Sequence, residues 1–219
     1  MSPLDPTLAQ RRLRGLHVLA DDDPRWKLDP VEQASAACEG GAAVVQLRAK
    51  LATDREALAW ARRIRERTRE TDALLVVNDR FDLALLAEAD GVHLGQDDLP
   101  PGALPAEVRA QLLVGRSTHT LEQARAACDE PVDYVAFGPV FGTRSKASPY
   151  DARGLDALAQ VVKWAAPRPV VAIGGIDAAR IAAIGALGAG AAVISAVAAA
   201  DDPVAATRAL AARLEEERA

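Results

Sequence analysis

Residues 74–94, LLVVNDRFDLALLAEADGVHL, contain the pattern that predicts the fold. Leu74–Asn78 is a short, β-rich apolar run, and Gly91–Leu94 is a second one. Between them, Phe81–Glu88 has polar residues on one face and apolar residues on the other, as a helix packed on a sheet requires. The stretch therefore predicts a strand, a helix and a second strand in succession.

The same order of elements repeats along the whole chain. The predicted strands are Leu16–Ala20, Ala43–Leu47, Leu74–Asn78, Gly91–Leu94, Leu112–Gly115, Tyr134–Gly138, Pro169–Ile173 and Ala192–Ser195. The predicted helices are Pro30–Glu39, Asp54–Glu70, Phe81–Glu88, Pro105–Gln111, Leu121–Cys128, Gly154–Trp164, Asp177–Leu187 and Pro203–Glu217. The expected N-caps are Thr53 or Asp54, Thr120 and Asp177. Strict alternation over 219 residues is typical of the α/β class and predicts a single (β/α)8 TIM barrel.

We interpret residues 1–219 as one catalytic barrel domain, with residues 1–14 as an N-terminal extension. A doubly wound open sheet is the structural alternative. Such a sheet usually has fewer strands and an early glycine fingerprint, which this sequence lacks.

The composition argues against several classes of partner. The formal net charge is −5, so a nucleic acid or an anionic membrane, which usually requires a basic surface, is not expected. No apolar stretch approaches the roughly 20 residues that span a bilayer, and the N-terminus lacks the apolar segment of a signal peptide. Cys38 and Cys128 lack CxxC spacing, which indicates reduced thiols in a cytoplasmic protein. A homo-oligomer is compatible with the sequence.

Polar residues accumulate at the carboxyl ends of the predicted strands, where the active sites of barrels lie. In residues 43–50, AVVQLRAK, the side chains of Gln46, Arg48 and Lys50 share one face because strand side chains alternate. Arginine offers a planar fork and lysine a mobile point charge, a combination that suits phosphate oxygens. This segment by itself therefore predicts either an anion site or a strand end that becomes polar where it meets solvent, and the residues after the other strands favour the anion site.

Acidic residues follow the next two predicted strands. Asp79 comes directly after strand three, and Asp98 follows strand four beyond Gly95. Carboxylates beside cationic phosphate ligands are the usual protein ligands of Mg²⁺. We therefore expect Asp79 and Asp98 to bind Mg²⁺, whereas Asp97 faces solvent or caps a turn.

The segment GRSTHT at strand five contributes hydroxyl groups and a histidine. Thr120 is expected to cap the next helix, and Ser117 to bind a ligand. His119 is either an acid–base group or, in the favoured interpretation, an orienting hydrogen-bond partner. His17 and His93 are interpreted as structural residues, or at most as walls of the pocket.

The loops after strands six to eight indicate further anion binding. Thr143, Ser145 and Lys146 lie in a long loop after strand six and resemble an oxyanion clamp. Gly174–Gly175 follow strand seven and Ser195 ends strand eight, where barrels often form a phosphate cup. The sequence thus predicts two anion sites, one with metal and one without.

At these residues the chain resembles the thiamine phosphate synthase family. The matching blocks occur in the family's order and are VVQLRAK, VNDRFDLALLAEADGVHLGQDDLP, GRSTHTLEQA, YVAFGPVFGTRSKAS, VVAIGGI and GAAVISAV. The resemblance implies a Mg²⁺-dependent transferase that joins a hydroxymethylpyrimidine diphosphate to a thiazole phosphate. The products would be thiamine phosphate and diphosphate, formed by a dissociative, carbocation-like displacement without a protein nucleophile.

The resemblance also implies a role for each site residue. The residues that would surround the pyrimidine diphosphate are Gln46, Arg48, Lys50 and Asn78. Asp79 and Asp98 would hold Mg²⁺. The residues that would contact the pyrimidine or its leaving diphosphate are Ser117 and Lys146, and those for the thiazole phosphate are Thr143, Ser145, Gly175, Ile194 and Ser195. Arg48, Lys50, Ser117 and Lys146 are the expected catalytic residues.

The chain departs from the family pattern at Ala49, where an acidic residue is common, and at Gly142, where proline is frequent. Ser145 replaces the usual threonine but keeps the hydroxyl. Two alternative functions stay open: a thiazole tautomerase of the same fold, and a non-catalytic barrel that binds a phosphorylated ligand. The tautomerase would not need the full set of diphosphate and Mg²⁺ ligands, so that set favours the synthase over it.

Overall fold

The chain forms a closed barrel of eight parallel strands, which neighbour one another in sequence order. The computed structural model describes residues 5–142 and 150–217. The strands are β1 (Leu16–Asp21), β2 (Val44–Arg48), β3 (Leu74–Asn78), β4 (Gly91–Leu94), β5 (Leu113–Thr118), β6 (Tyr134–Phe137), β7 (Val170–Ile173) and β8 (Gly190–Val193). β8 pairs with β1 in parallel, which closes the sheet. The predicted (β/α)8 TIM barrel is confirmed.

Helices surround the barrel and connect its strands. The described helices are α1 (Pro6–Leu13), α2 (Pro30–Glu39), α3 (Asp54–Glu70), α4 (Phe81–Leu86), α5 (Ala106–Arg109), α6 (Leu121–Ala127), α7 (Gly154–Ala165), α8 (Ile181–Ala186), α9 (Ser195–Ala198) and α10 (Pro203–Glu216). A short 3₁₀ helix at Pro101–Ala103 precedes α5. Thr53 caps α3 and Thr120 caps α6 through their side chains, as predicted.

One helix cap was predicted wrongly, and one helix was not predicted. Asp177 does not cap α8, because its side chain accepts from the N–H groups of Ala179 and Arg180 and forms a turn before the helix begins. The predicted N-terminal extension contains α1, whose first turn is capped by Asp5. Leu13, the last residue of α1, is fully buried against residues of the barrel interior.

Two strands, β5 and β8, differ from the prediction by more than one residue at a boundary. β5 continues to Thr118, because its ladder with β6 runs on to the Thr118–Phe137 pair. β8 begins and ends two residues earlier than predicted, and Ser195 starts α9 instead. The run of alanine and valine around β8 has no periodicity that could mark the strand's register.

The apolar core has two parts, one between strands and helices and one inside the barrel. Leu13, Val44, Leu74 and Tyr134 belong to the inner part. Tyr134 is one of the largest fully buried side chains. These residues fill one end of the barrel interior, and the carboxyl ends of the strands surround an open cavity.

A buried ion pair fastens α3 to the barrel. Arg65 donates to both carboxylate oxygens of Asp90, at 2.6 and 3.0 Å. Asp90 also accepts from the backbone N–H of Leu75 at 2.8 Å, so it joins the helix to β3. Cys38 and Cys128 are both free thiols, and Cys38 is buried. Within residues 5–142 and 150–217, no helix is long and apolar enough to cross a membrane.

Candidate active site

A cavity of about 420 Å³ opens at the carboxyl ends of the strands. The predicted site residues that line it are Gln46, Arg48, Lys50, Asn78, Asp79, Asp98, Ser117, Gly175, Ile194 and Ser195. The described residues of both predicted anion sites, the one with metal and the one without, therefore line the same cavity. Thr143, Ser145 and Lys146 lie outside the described residues.

Arg48 is held by a carboxylate that the sequence interpretation missed. Asp21 ends β1 directly opposite Arg48 in the parallel ladder. Its Oδ2 lies 2.6 Å from Nη1 of Arg48, and only 1% of the Asp21 side chain is exposed. Asp21 also accepts from the N–H of Asp23 at 2.9 Å and from the indole N–H of Trp26 at 3.3 Å. The guanidinium of Arg48 is thereby oriented at the cavity wall.

Asp22 fixes the backbone that carries Lys50. Its carboxylate accepts from the N–H groups of Lys50, Leu51 and Ala52 at 2.9, 2.7 and 2.8 Å. Ala49 does not line the cavity and packs against the outer apolar core, as strand alternation requires. The departure from the family pattern at Ala49 therefore concerns the packing beneath the site and not the residues that line the cavity.

Asp79 adopts a backbone conformation that L-residues rarely use. Its φ is +65°, in the left-handed region, which costs a non-glycine residue about 1–2 kcal/mol. The N–H of Asp79 donates to the carbonyl of His93 at 2.8 Å, and this bond ties the turn to β4. Beside it, Asn78 accepts from the side-chain amide of Gln46 at 2.8 Å. The turn directs the Asp79 carboxylate into the cavity, where Lys50 donates to it.

Asp79 and Asp98 form a carboxylate pair. Burial raises the pKa of Asp79, but hydrogen bonds from Lys50 and Asp98 outweigh it and leave that pKa below its ordinary value. Burial, followed by the neighbouring Asp79, raises the pKa of Asp98. The N–H of Gly95 donates to Asp98 at 2.6 Å and holds it in place. Two carboxylates that resist joint ionisation fit a divalent cation, which would neutralise both.

This donor set is small. The residues described here contain no group of three or more His, Cys, Asp or Glu side chains suited to a metal ion. Two carboxylates nevertheless match what Mg²⁺ takes from a protein when water and substrate phosphate supply the other ligands.

Ser117 lies in β5 rather than in a loop. Its hydroxyl is 2.8 Å from Nε2 of His93, and the carbonyl of Ser117 accepts from the side-chain amide of Gln96 at 2.5 Å. His93 Nδ1 in turn lies 2.9 Å from the hydroxyl of Tyr134. His93 and His17 both line the cavity, consistent with their interpretation as structural or wall residues.

His119 has the orienting contacts of the favoured interpretation. Its Nδ1 lies 2.7 Å from the carbonyl of Gly138, and because a carbonyl only accepts, Nδ1 carries a proton. The ring stacks on Tyr150 with 4.5 Å between centroids and an interplanar angle of 14°. His119 and Tyr150 thus form one wall of the cavity.

The loops after β6 and β7 pack directly on each other. Gly175 has a φ of +64°, and a Cβ there would lie 2.3 Å from the carbonyl oxygen of Gly142. Phe141 donates its N–H to the carbonyl of Gly174 at 3.0 Å. Among the described residues nothing lies within 4 Å of a Cβ built on Gly142, so the departure from proline removes no contact with this part of the chain. Glycine is required at Gly175 by both conformation and space.

Sequence reasoning missed two contributors, Asp21 and Tyr134. Asp21 could have been found as the acidic residue that ends β1, since the rule that singled out Asp79 applies equally to it. Tyr134 is the first residue of β6, at the opposite end from the expected active site. No rule based on strand ends could have found Tyr134.

The closed barrel, with basic and acidic side chains around a cavity at the carboxyl ends of its strands, defines the class of (β/α)8 enzymes. A family model described as thiamine monophosphate synthase matches residues 16–197. The chain belongs to the thiamine monophosphate synthase family.

Individual relatives agree with the family model. The chain is 51% identical over 209 residues to a thiamine-phosphate synthase of Anaeromyxobacter dehalogenans, covering 95% of this chain and 91% of that protein. It is 42% identical to a thiamine-phosphate synthase of a Mycobacterium species, covering 96% and 95% of the two chains. A solved thiamine phosphate pyrophosphorylase of Pyrococcus furiosus superposes with a TM-score of 0.85 and 39% identity, covering 94% and 98%.

Proposed function

We propose that this chain is a thiamine-phosphate synthase that joins a hydroxymethylpyrimidine diphosphate to a thiazole phosphate and releases diphosphate. One observation carries the proposal: Arg48, Lys50, Asp79 and Asp98 line one cavity, and each cation is paired with a carboxylate of the site. Such a site can accept a polyanion by exchanging internal ion pairs for contacts with phosphate oxygens. The family and its relatives supply the identity of the two substrates.

The reaction that we propose breaks the carbon–oxygen bond between the pyrimidine methylene and the diphosphate. The electron pair leaves with the diphosphate, and the electron-rich aminopyrimidine supports the cationic methylene. The thiazole nitrogen then donates its lone pair to form the new carbon–nitrogen bond. Arg48 and Lys50 stabilise the negative charge that develops on the leaving group, which is where preorganised cations contribute most.

Asp79 and Asp98 would hold Mg²⁺ in this proposal. When bound, the ion would supply further positive charge to the departing diphosphate. The support for this role is the carboxylate pair and the raised pKa of Asp98. Lys50 donates to Asp79, and with a cation held by the carboxylate pair its ammonium group would instead be available to the diphosphate.

The thiazole phosphate is assigned to the other side of the cavity. Gly175, Ile194 and Ser195 line that side, at the carboxyl ends of β7 and β8, where barrels often bind a phosphate. Thr143 and Ser145 are proposed to complete this phosphate site. Lys146 is proposed to contact the diphosphate.

Several broader assignments are also proposals. We propose that residues 1–219 act as a single catalytic domain. We further propose a cytoplasmic location, because both cysteines are free thiols and Cys38 is buried. We propose that the partners of this protein are small phosphorylated substrates and not nucleic acids or membranes. Self-association as a homo-oligomer is compatible with this proposal.

The test is a coupled assay of diphosphate release, with both substrates and with the pyrimidine diphosphate alone, each with and without Mg²⁺. Metal-dependent release together with thiamine phosphate formation is the expected result. Release without product would indicate a hydrolase. The absence of release, with turnover of a thiazole carboxylate phosphate, would indicate the tautomerase. Binding of phosphorylated ligands without turnover would indicate a non-catalytic barrel.

A matched pair of variants connects the activity to the cavity. Lys50→Met removes the cation at the carboxylate pair, whereas Lys27→Met removes an exposed lysine whose nearest partner is Asp201 at 3.6 Å. Both variants change the net charge equally. We expect Lys50→Met to lower kcat/KM by at least about 100-fold, since one preorganised charge at a leaving group contributes on that order. Lys27→Met should retain the parent value, and equal effects would contradict the proposed role of Lys50.

A further inference from the structure

A hydrogen-bonded chain crosses the barrel interior from β6 to β4 and returns to β5. His93, Gly115 and Tyr134 lie side by side at one level of three neighbouring strands. Gly115 has no side chain, and a Cβ there would lie 2.1 Å from Cζ and 2.4 Å from the hydroxyl oxygen of Tyr134. The phenol therefore passes over β5 through the space left by the glycine. Its hydroxyl reaches Nδ1 of His93 at 2.9 Å.

The hydroxyl of Tyr134 determines which ring nitrogen of His93 carries the proton. Tyr134 is 1% exposed, and within the part of the chain that the structure describes His93 Nδ1 is its hydrogen-bond partner. A buried phenol proton without an acceptor is costly, so Tyr134 donates and Nδ1 accepts. Burial also raises the pKa of Tyr134, so the phenol keeps its proton. In the neutral ring the proton of His93 then lies on Nε2.

The position of the His93 proton determines how His93 bonds to Ser117, which lies two residues beyond Gly115 on β5. Because Nε2 of His93 carries the proton, it donates to the Ser117 hydroxyl oxygen at 2.8 Å. The serine oxygen then uses one of its two lone pairs for His93, and its own proton is directed away from His93. Ser117 lines the cavity, so that proton is available to a ligand bound there.

We propose that Tyr134 and His93 are positioning residues that make Ser117 a fixed hydrogen-bond donor to the pyrimidine diphosphate. Without the Tyr134 hydroxyl, His93 can place its proton on Nδ1 and accept from Ser117, which withdraws the donor from the cavity. The identity of the acceptor rests on the proposed function. The direction of the hydrogen bonds rests on the geometry of the free protein alone.

The first experiment reads the tautomer directly by long-range ¹H–¹⁵N correlation spectroscopy on the ligand-free protein. The chain contains three histidines, so each ring can be assigned with single-site variants. We expect the proton of His93 on Nε2. His119, whose Nδ1 donates to the carbonyl of Gly138, serves as the internal reference with the proton on Nδ1. A proton on Nδ1 of His93, alone or in an imidazolium, overturns the proposal.

The second experiment uses Tyr134→Phe, which keeps the ring that packs over Gly115 and removes only the hydroxyl. We expect Nδ1–H of His93 to appear in the spectrum and kcat to fall at least about tenfold, with KM within about twofold, as for loss of a donor used in the transition state. The matched control is Thr207→Val, which removes another fully buried hydroxyl that donates to Pro203 at 2.7 Å. Thr207 lies in α10 and not in the cavity lining, so that variant should keep the parent kcat.

A double-mutant cycle with Ser117→Ala separates positioning from a structural effect. If Tyr134 acts through Ser117, adding Tyr134→Phe to Ser117→Ala lowers kcat no further. A second loss of equal size in the double variant overturns the proposal. If the parent protein releases no diphosphate, the proposed function fails while the tautomer measurement still decides the hydrogen-bond direction. That measurement also stands if Tyr134→Phe does not fold.

Discussion

Asp21→Asn tests the buried contact that orients Arg48. The substitution keeps the size of the side chain and an oxygen that can accept from Arg48, but it removes the negative charge. Asp21 is 1% exposed on its side chain and Arg48 is 16% exposed, so the contact is largely shielded from water. The charge of Arg48 would then lie at the cavity wall without its counter-charge.

The magnitude follows from the distance and from the surroundings. The two groups are in contact at 2.6 Å, and opposite charges centred roughly 4 Å apart attract by about 4 kcal/mol at an effective dielectric constant of about 20. The variant no longer buries a carboxylate, which offsets part of this loss. We expect the free energy of unfolding to fall by about 2 kcal/mol, which is a decrease in Tm of about 4–8 °C for a chain of this length.

Thermal unfolding followed by circular dichroism, in metal-free buffer at neutral pH, measures the effect. Asp23→Asn is the matched control, because Asp23 makes an ion pair with Arg25 that is far more exposed. That control should change Tm by no more than about 2 °C. If Asp21→Asn melts within the same interval as Asp23→Asn, the buried pair does not contribute to stability and the reasoning is refuted.

Three further predictions concern the Asp79–Asp98 carboxylate pair, the close contact between Gly115 and Tyr134, and Lys146 in the loop after β6. In EDTA at neutral pH, Asp98→Asn should raise Tm, because the pKa of Asp98 is raised and its ionised form beside Asp79 destabilises the folded chain. The gain in Tm should shrink as pH falls toward the ordinary carboxyl pKa of 3.8, and a lower Tm for the variant in EDTA would contradict this reasoning. In assays with added Mg²⁺, the same variant should need at least about tenfold more Mg²⁺ for half-maximal activity. Gly115→Ala should reduce the free energy of unfolding in urea by about 1–3 kcal/mol, because the new methyl group overlaps Tyr134, and an unchanged midpoint would show that the ring can move aside. Lys146→Ala should lower kcat far more than it changes KM for the pyrimidine diphosphate in steady-state assays, whereas unchanged kcat would remove Lys146 from the mechanism.

The strand-end residues of this barrel were predictable because one rule places them. Gln46, Arg48 and Lys50 share a face through the two-residue period of a strand, and the carboxyl ends of parallel strands meet at one rim. The structure places all three at the cavity. Boundaries were less predictable where composition was uniform, as in the alanine-rich β8, whose register depends on its pairing with β1 and β7.

The sequence by itself determined the alternation of strands and helices, and therefore the barrel and the rim on which its polar residues gather. It could not determine which side chains are partners, because contacts across strands depend on the register between segments that are distant in the chain. Asp21 faces Arg48 only through the β1–β2 ladder. Tyr134 reaches His93 only because Gly115 leaves a space between them. Tertiary structure alone decided these contacts, since an ion pair or a hydrogen bond requires its two atoms to lie within a few ångströms of each other.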